Sequence, residues 1–541
     1  VGDIAGNVKK ICQFYSQAVK LEADVVVFPE LCISGYPPED LLLKSSFIED
    51  NHLALEQLAK DCSDKDINVI VGFAEKNPKG FFNSLAVLQA GQIKKIYRKT
   101  ILPNYGVFDE KRYFRTGNEP VIINIKGINA VLTICEDVWQ PQWLGALLKD
   151  FPRTDIIINS SASPFHTGKI QQRRQILADC ARYFDCAVAY CNLVGGQDEL
   201  VFDGRSMFLD QRGALISEAK AFAEDLLAAD IDLTTAKRNG GKVRVMPVNG
   251  RKRPPADLAD DVGEIYEALV LGTRDYVLKN RFRKAIVSLS GGVDSSLTAA
   301  IAVDALGSEN VVGLTMPSQF NSRETIRDAG MVAENLDIEF HTIPIMGILE
   351  RFNETLVAVK GWDGKGVPYE NLQARIRGTI LMSLSNQFSY LVLTTGNKSE
   401  IAVGYSTLYG DTAGGFAVIK DVPKTMVYRL ADYVNKIHQR QIIPKTVLER
   451  PPSAELKYGQ KDTDSLPEYD LLDKALKGYI EEDKSSRELV EEGLTRDVVE
   501  RVIGMVDCNE YKRRQYPPGI KITPKAFGRD RRMPITNFYR R

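Results

Sequence analysis

The sequence predicts two α/β units in series, and three observations carry that prediction. Short, β-branched apolar runs alternate with longer stretches of helical periodicity, the pattern of a sheet covered by helices. A stretch rich in Gly, Pro, Lys and Arg interrupts this alternation at residues 237–256 (KRNGGKVRVMPVNGRKRPPA). The 541 residues leave each side long enough to bury its own core. The predicted domains are therefore 1–236 and 260–541, joined by a basic Gly/Pro-rich linker at 237–259.

In the first unit the strand-like runs are Asp24 to Phe28, Ile67 to Phe73, Ala130 to Ile134, Asp155 to Ile158 and Cys186 to Tyr190. Residues 51–61 and 170–184 carry helical periodicity between them. Met207 to Leu209 and the Gly213-Ala214-Leu215 that follows resemble a strand, a glycine-marked turn and a second strand. In the second unit the strands are Lys284 to Leu289, Asn310 to Thr315, Phe340 to Ile343 and Tyr390 to Thr394. A helix follows the first of these from Ser296 onward, with Leu297, Ile301 and Ala305 on one face.

Composition narrows the classes of function. Hydrophobic residues make up 44% and charged residues 26%, an ordinary globular balance. The 70 Lys+Arg and 71 Asp+Glu give a net charge of -1, which argues against a nucleic-acid partner. No apolar run is long enough to span a bilayer, so no membrane association is expected, and the first residues show no secretory pattern. Eight cysteines scattered over the chain fit a reducing cytoplasm rather than a disulfide scaffold. Cys180, Cys186 and Cys191 lack CxxC spacing, which weighs against a zinc site. The four histidines (His52, His166, His341 and His438) form no evident catalytic Cys–His pair.

The sharpest local signal is Ser290-Gly291-Gly292-Val293-Asp294-Ser295-Ser296, between a strand and a helix. Two glycines allow a tight turn, and the amides and helix N-terminus beyond it suit phosphate oxygens. No Lys follows the glycines and no GxGxxG is present, so neither a Walker loop nor a dinucleotide fingerprint is supported. The segment resembles the PP-loop of ATP pyrophosphatases. Downstream lie Asn371 to Arg375 (NLQAR), Thr394 to Glu400 (TTGNKSE), Gly404 to Asp411 (GYSTLYGD) and Lys420 to Thr425 (KDVPKT). With these, residues 260–541 resemble the NAD synthetase family.

That resemblance implies a Rossmann-like parallel sheet and an ATP-dependent amidation of deamido-NAD through an acyl-adenylate. It implies ATP contacts at Ser288, Leu289, Ser290, Gly291, Gly292, Val293, Asp294, Ser295 and Thr395. It implies deamido-NAD contacts at Asn371, Glu400 and Lys525, with Asp294 and Glu400 as candidates for Mg²⁺.

In the first unit three reactive groups stand at strand ends: Glu30 in FPEL, Lys99 in YRK and Cys135 in CEDVW. A thiol nucleophile, a carboxylate to move its proton and an ammonium to stabilise an oxyanion suit one reaction. The strings FPEL, SGYPPEDLL, YRKTILPNYGVFDE and CEDVW resemble the nitrilase superfamily, in particular the glutaminase domain of glutamine-dependent NAD synthetases, over about residues 1–220. The resemblance implies an αββα sandwich in which Glu30 is the general base, Lys99 supports the tetrahedral intermediate and Cys135 forms a γ-glutamyl thioester. It places glutamine contacts at Tyr105, Ser163 and Lys169.

Together the two resemblances imply a ligase that takes L-glutamine, ATP and deamido-NAD, passes ammonia along a protected channel and assembles as a homo-oligomer. The alternative is another glutamine-dependent PP-loop amidotransferase acting on a different carboxylate, which TTGNKSE with GYSTLYGD disfavours.

Overall fold

The computed structural model describes residues 1–64, 66–232, 244–247 and 261–539. Apart from 244–247, the expected linker at 237–259 lies outside the described residues. The chain divides into two compact units, the first holding Val1–Gln197 and the chain from Phe202, the second Asp198–Val201 and the chain that follows the linker.

The first unit is built on two sheets. In one, Val25–Val27 runs parallel to Asn68–Asn77, which pairs antiparallel with Gly80–Gln89, itself paired with Gln92–Arg98. In the other, Ile128–Ile134, Ile156–Ser161 and Ala187–Asn192 are parallel, and antiparallel strands extend the sheet on both sides. Met207–Leu209 does pair antiparallel with Leu215–Glu218, as the glycine-marked turn suggested.

The period-2 alternation of side chains decides how the layers stack. Val69, Val71 and Phe73 pack with Ile11, Leu55 and Leu58 of the helices Ile4–Lys20 and Ser45–Asp61. Ile70, Leu85 and Val87 face the opposite way and meet Ala130, Leu132, Ile134, Ile156 and Ile158 of the second sheet. Val131, Ile157 and Val188 then turn outward onto Leu144, Leu177 and Ala181 of the helices Pro141–Leu148 and Lys169–Phe184. The result is the expected helix–sheet–sheet–helix sandwich.

The second unit centres on five parallel strands in the order Glu339–Thr342, Val311–Thr315, Lys284–Ser288, Tyr390–Thr394, Phe416–Ala417. The first strand in sequence is the middle one in space. The connections therefore leave its C-terminal end in opposite directions and open a crevice there. Ile286, Val312, Leu314 and Val392 pack against Leu349 of the helix Met346–Leu356 and Leu372, Ile376 and Leu381 of the helix Gly366–Phe388. A further core of Ile401, Leu472, Val499, Val502 and Val506 forms among helices nearer the C-terminus. Among the described residues no helix is long and apolar enough to cross a membrane.

Buried Lys398 fastens this unit together. Its ammonium lies 3.0 Å from Asp421, 2.7 Å from Glu481 and 2.6 Å from the Thr523 hydroxyl. Asp421 in turn accepts the backbone N–H groups of Ile522 (2.8 Å) and Thr523 (2.7 Å). The TTGNKSE and KDVPKT segments are thereby locked to the C-terminal ITPK segment. Removing one partner from a buried ionic cluster costs about 3–5 kcal/mol, because the remaining charge is left uncompensated. Lys398→Met is expected to destabilise the second unit by about that amount, read as a lowered denaturant midpoint in its unfolding transition.

Candidate active sites

Glu30, Lys99 and Cys135 each follow the end of a strand, and the two facing sheets bring these ends together. Buried Lys99 lies 2.7 Å from Glu30 and 2.8 Å from Glu110. Glu30 is held from two further directions, by the Asn83 amide at 2.7 Å and the Ala162 backbone N–H at 2.9 Å. Glu110 also accepts the Tyr36 hydroxyl at 3.0 Å.

Cys135 opens the short 3-10 turn Cys135–Trp139 with a φ of +42°, a left-handed conformation that a non-glycine residue adopts only when held. Asp137 does the holding. Its carboxylate accepts the Ile134 N–H (2.8 Å), the Thr100 N–H (3.1 Å) and hydroxyl (2.8 Å), the Ile101 N–H (2.9 Å) and the Tyr97 hydroxyl (2.8 Å). One buried side chain thus ties the cysteine turn to the strand end that carries Lys99.

The electrostatics follow from burial. Burial raises the Cys135 thiol pKa, Glu30 adds to the rise and Lys99 works against it, so the thiol is neutral at rest. Burial opposes the charge on Lys99, yet Glu110 and then Glu30 raise its pKa well above that of an ordinary lysine. Glu110 is pushed up to about 7 by burial, against the pull of Lys99. The site therefore holds a permanent cation, a carboxylate fixed by three donors and a thiol whose proton must leave as it attacks.

Of the residues expected to bind glutamine, Tyr105 donates its hydroxyl to Glu136 at 3.0 Å. Lys169 begins the helix Lys169–Phe184 with its ammonium 4.1 Å from the centre of the Trp139 ring, and its charge also acts on Glu136. Ser163 is buried, its N–H donating to Asn192 at 2.9 Å and its hydroxyl accepting from Arg173 at 3.3 Å. Arg173 is itself paired with Asp203 at 3.0 Å. His166 makes a contact within its own loop, to Thr167 O at 2.9 Å.

In the second unit a cavity of about 540 Å³ opens at the C-terminal end of the central strand. Residues 288–295, Thr395, Asn371 and Glu400 all line it. Gly291 has a φ of +82°, and a Cβ there would lie 2.1 Å from the Thr325 carbonyl oxygen, so only glycine fits. The hydroxyls of Ser295 and Ser296 donate to the Gly292 carbonyl at 3.0 and 2.8 Å and set the start of the helix Val293–Leu306.

Asn397 caps the helix Lys398–Val403 and joins it to the helix Val293–Leu306. Its oxygen accepts the Glu400 N–H at 3.0 Å, and its amide donates to Asp294 at 2.8 Å. The buried Lys424 ammonium pairs with Asp294 and lies 3.2 Å from Glu400. Burial pushes Glu400 up to about 7, with Lys424 acting the other way. Asn371 accepts the Thr407 hydroxyl at 2.7 Å. Lys525 is not among the residues lining this cavity; its ammonium pairs with Asp483 at 2.5 Å.

Sequence reasoning did not single out Glu110, Asn83 or Lys424. Glu110 closes the string YRKTILPNYGVFDE and Lys424 lies in KDVPKT, so both stood inside quoted motifs. Their roles come from chain reversals that return them to Lys99 and Asp294.

Comparison with known proteins bears on both units. A carbon-nitrogen hydrolase family model matches residues 1–238 and an NAD synthase family model matches residues 265–516. The glutamine-dependent NAD(+) synthetase of Thermotoga maritima is 45% identical over 100% of this chain and 97% of its own length. That of Aquifex aeolicus is 46% identical over 99% of this chain and 97% of its own. The solved glutamine-dependent NAD+ synthetase from Acinetobacter baumannii, in complex with ADP, is 41% identical with a TM-score of 0.77, covering 99% of this chain and 96% of its own. The one from Cytophaga hutchinsonii has a TM-score of 0.81 at 24% identity, a likeness of fold over 99% of this chain and 96% of its own.

The raised Glu110 sets a pH dependence. Its ordinary value is 4.5 and its folded value about 7, so between these limits the folded state binds the extra proton. Its contribution to stability is greatest below pH 4.5 and is lost as the pH rises through about 7. Glu110→Gln removes that loss. The melting temperature of the variant relative to the parent is expected to shift in the variant's favour from pH 5 to pH 8, as calorimetry would show.

Proposed function

Because the chain belongs to the glutamine-dependent NAD(+) synthetases, we propose a division of labour in which the Cys135 site releases ammonia and the Gly291 cavity consumes it. The protein is an enzyme that forms a carbon–nitrogen bond, amidating deamido-NAD to NAD⁺ at the expense of ATP through an acyl-adenylate, with glutamine as the nitrogen source. The observation that carries it is the convergence of Glu30, Lys99 and Cys135 from separate strand ends in the same chain as a glycine-turn cavity. The reading divides the chain into a glutaminase domain at 1–236 and a synthetase domain at 260–541, with 237–259 between.

At the first site the Cys135 sulfur attacks the side-chain amide carbon of glutamine. Its proton passes to Glu30, the base fixed beside it, and then to the departing nitrogen, which leaves as ammonia. Lys99 faces the oxygen on which negative charge develops. Tyr105, Ser163 and Lys169 grip the amino-acid end of the substrate. Water then cleaves the γ-glutamyl thioester, freeing glutamate and restoring the thiol.

At the second site the nicotinate carboxylate of deamido-NAD attacks the α-phosphorus of ATP and pyrophosphate departs. Ammonia then attacks the acyl carbon and AMP leaves. Residues 288–295 and Thr395 cradle ATP, Asn371 and Glu400 contact deamido-NAD within the cavity, and Lys525 contacts it from outside that lining. Asp294 and Glu400 present two carboxylates to the cavity, and both lie against the Lys424 ammonium. Mg²⁺ is commonly held by one or two carboxylates together with substrate phosphates, so this pair fits it. When bound, Mg²⁺ supplies positive charge against the phosphates. Among the described residues no group of three or more His, Cys, Asp or Glu could hold a metal ion by itself.

The reading includes a homo-oligomer. Its support is membership of the family alone.

The test is NAD⁺ formation from deamido-NAD, ATP and Mg²⁺, run once with glutamine and once with ammonium. Wild type is expected to use both sources. Cys135→Ala is expected to lose at least 100-fold with glutamine while retaining the ammonium-dependent rate within about threefold, since removing a covalent nucleophile ends that route. Equal activity of variant and parent with glutamine would refute the assigned nucleophile.

A further inference from the structure

Arg450 begins a Pro-rich segment, Arg450-Pro451-Pro452-Ser453-Ala454-Glu455, that walls one side of the second cavity. Its guanidinium reaches in two directions. One nitrogen donates to the carbonyl oxygen of Gly291 at 3.0 Å. The other pairs with Asp328 on the helix Arg323–Asn335.

Asp328 is wholly buried, with a side-chain exposure of 0%. Its other cation is Arg327, whose side chain is 58% exposed at 3.3 Å. A buried carboxylate without a close partner is costly, so Asp328 holds Arg450 in place.

The consequence falls on the glycine turn. A peptide unit is planar and trans, so the Gly291 carbonyl and the Gly292 N–H point to opposite sides. Drawing the carbonyl toward Arg450 sends the Gly292 N–H the other way, where it meets the Ser290 hydroxyl at a long 3.3 Å. Gly291, Gly292 and Ser290 all line the cavity. Because glycine has broad conformational freedom, this peptide needs an external hold to keep one orientation. An N–H aimed at a phosphate attracts it, whereas a carbonyl oxygen in the same place repels it.

We propose that Arg450, backed by Asp328, is a positioning residue that fixes the Gly291–Gly292 peptide so that the turn offers its N–H, and not its carbonyl, to the phosphates of ATP. This rests on the reading that ATP occupies the cavity.

The test uses the full-length enzyme with ammonium as the nitrogen source, following the KM for ATP and for deamido-NAD separately. Arg450→Met is expected to raise the KM for ATP at least tenfold and that for deamido-NAD less than threefold, with partial recovery on adding guanidinium ion. Arg450→Lys keeps a charge beside Asp328, so it protects the fold, but it cannot span both contacts; the same ATP-selective rise is expected. Asp328→Asn should raise the KM for ATP as well, and the double variant Arg450→Met with Asp328→Asn should be no worse than Arg450→Met alone. A KM for ATP within twofold of the parent in both Arg450 variants would overturn the proposal. So would an equal rise in both KM values without guanidinium recovery, or an Asp328→Asn variant with unchanged ATP use, which would make Arg450 a direct ligand. Failure of the parent enzyme itself to require ATP would instead refute the reading of the cavity.

Discussion

Lys99 and Lys424 occupy the same physical situation in the two units. Each is a buried ammonium set between two carboxylates, Lys99 between Glu30 and Glu110, Lys424 between Asp294 and Glu400. In each trio one carboxyl is pushed up to about 7 by burial, Glu110 in the first and Glu400 in the second. A lone buried ammonium would be driven toward its neutral form. Two carboxylates keep it charged, and the second leaves the trio ready to hold a proton or to accept added positive charge. Under the proposed assignments both sites use this arrangement, because each reaction builds negative charge that must meet a cation already in place.

The architecture keeps these charges fixed. In the sandwich, side-chain alternation packs the two sheets face to face, so the residues just beyond their strands converge. Asp137 then binds the Cys135 turn to the Lys99 strand end through five donors and holds the strained cysteine backbone in place. In the parallel sheet the reversal of strand order opens the crevice, and Asn397 links Asp294 to Glu400 across the starts of two helices. In both units one short polar side chain fixes the geometry around the charged residues, Asp137 with five hydrogen bonds and Asn397 with two.

Much of this was legible in the sequence, for physical reasons. Runs such as INVIVGF and KAIVSL are buried on both faces and read as strands from apolarity alone. The Ser-Gly-Gly-Val-Asp-Ser-Ser turn was legible because its left-handed Gly291, packed against the Thr325 carbonyl, demands that residue type. The hairpin Gly80–Arg98 was not singled out: GFFNSLAVLQ and QIKKIYR mix polar and apolar positions too unevenly to announce strands. Glu110 and Lys424 were hidden for another reason. A charged residue in a loop is ordinarily solvated, and only the returning chain buries these two beside their partners. Arg450 and Asp328 lie 122 positions apart, a pairing that no local pattern displays.

Isotope tracing shows whether nitrogen freed at Cys135 becomes the amide nitrogen of the product. The enzyme would be supplied with glutamine labelled with ¹⁵N in the side-chain amide, together with ATP, Mg²⁺ and deamido-NAD, and the NAD⁺ formed would be analysed by mass spectrometry. One ¹⁵N per NAD⁺ is expected, located in the nicotinamide carboxamide, with unlabelled glutamate released. NAD⁺ formed from labelled glutamine without ¹⁵N, or labelled ammonia released with no NAD⁺ made, would contradict it.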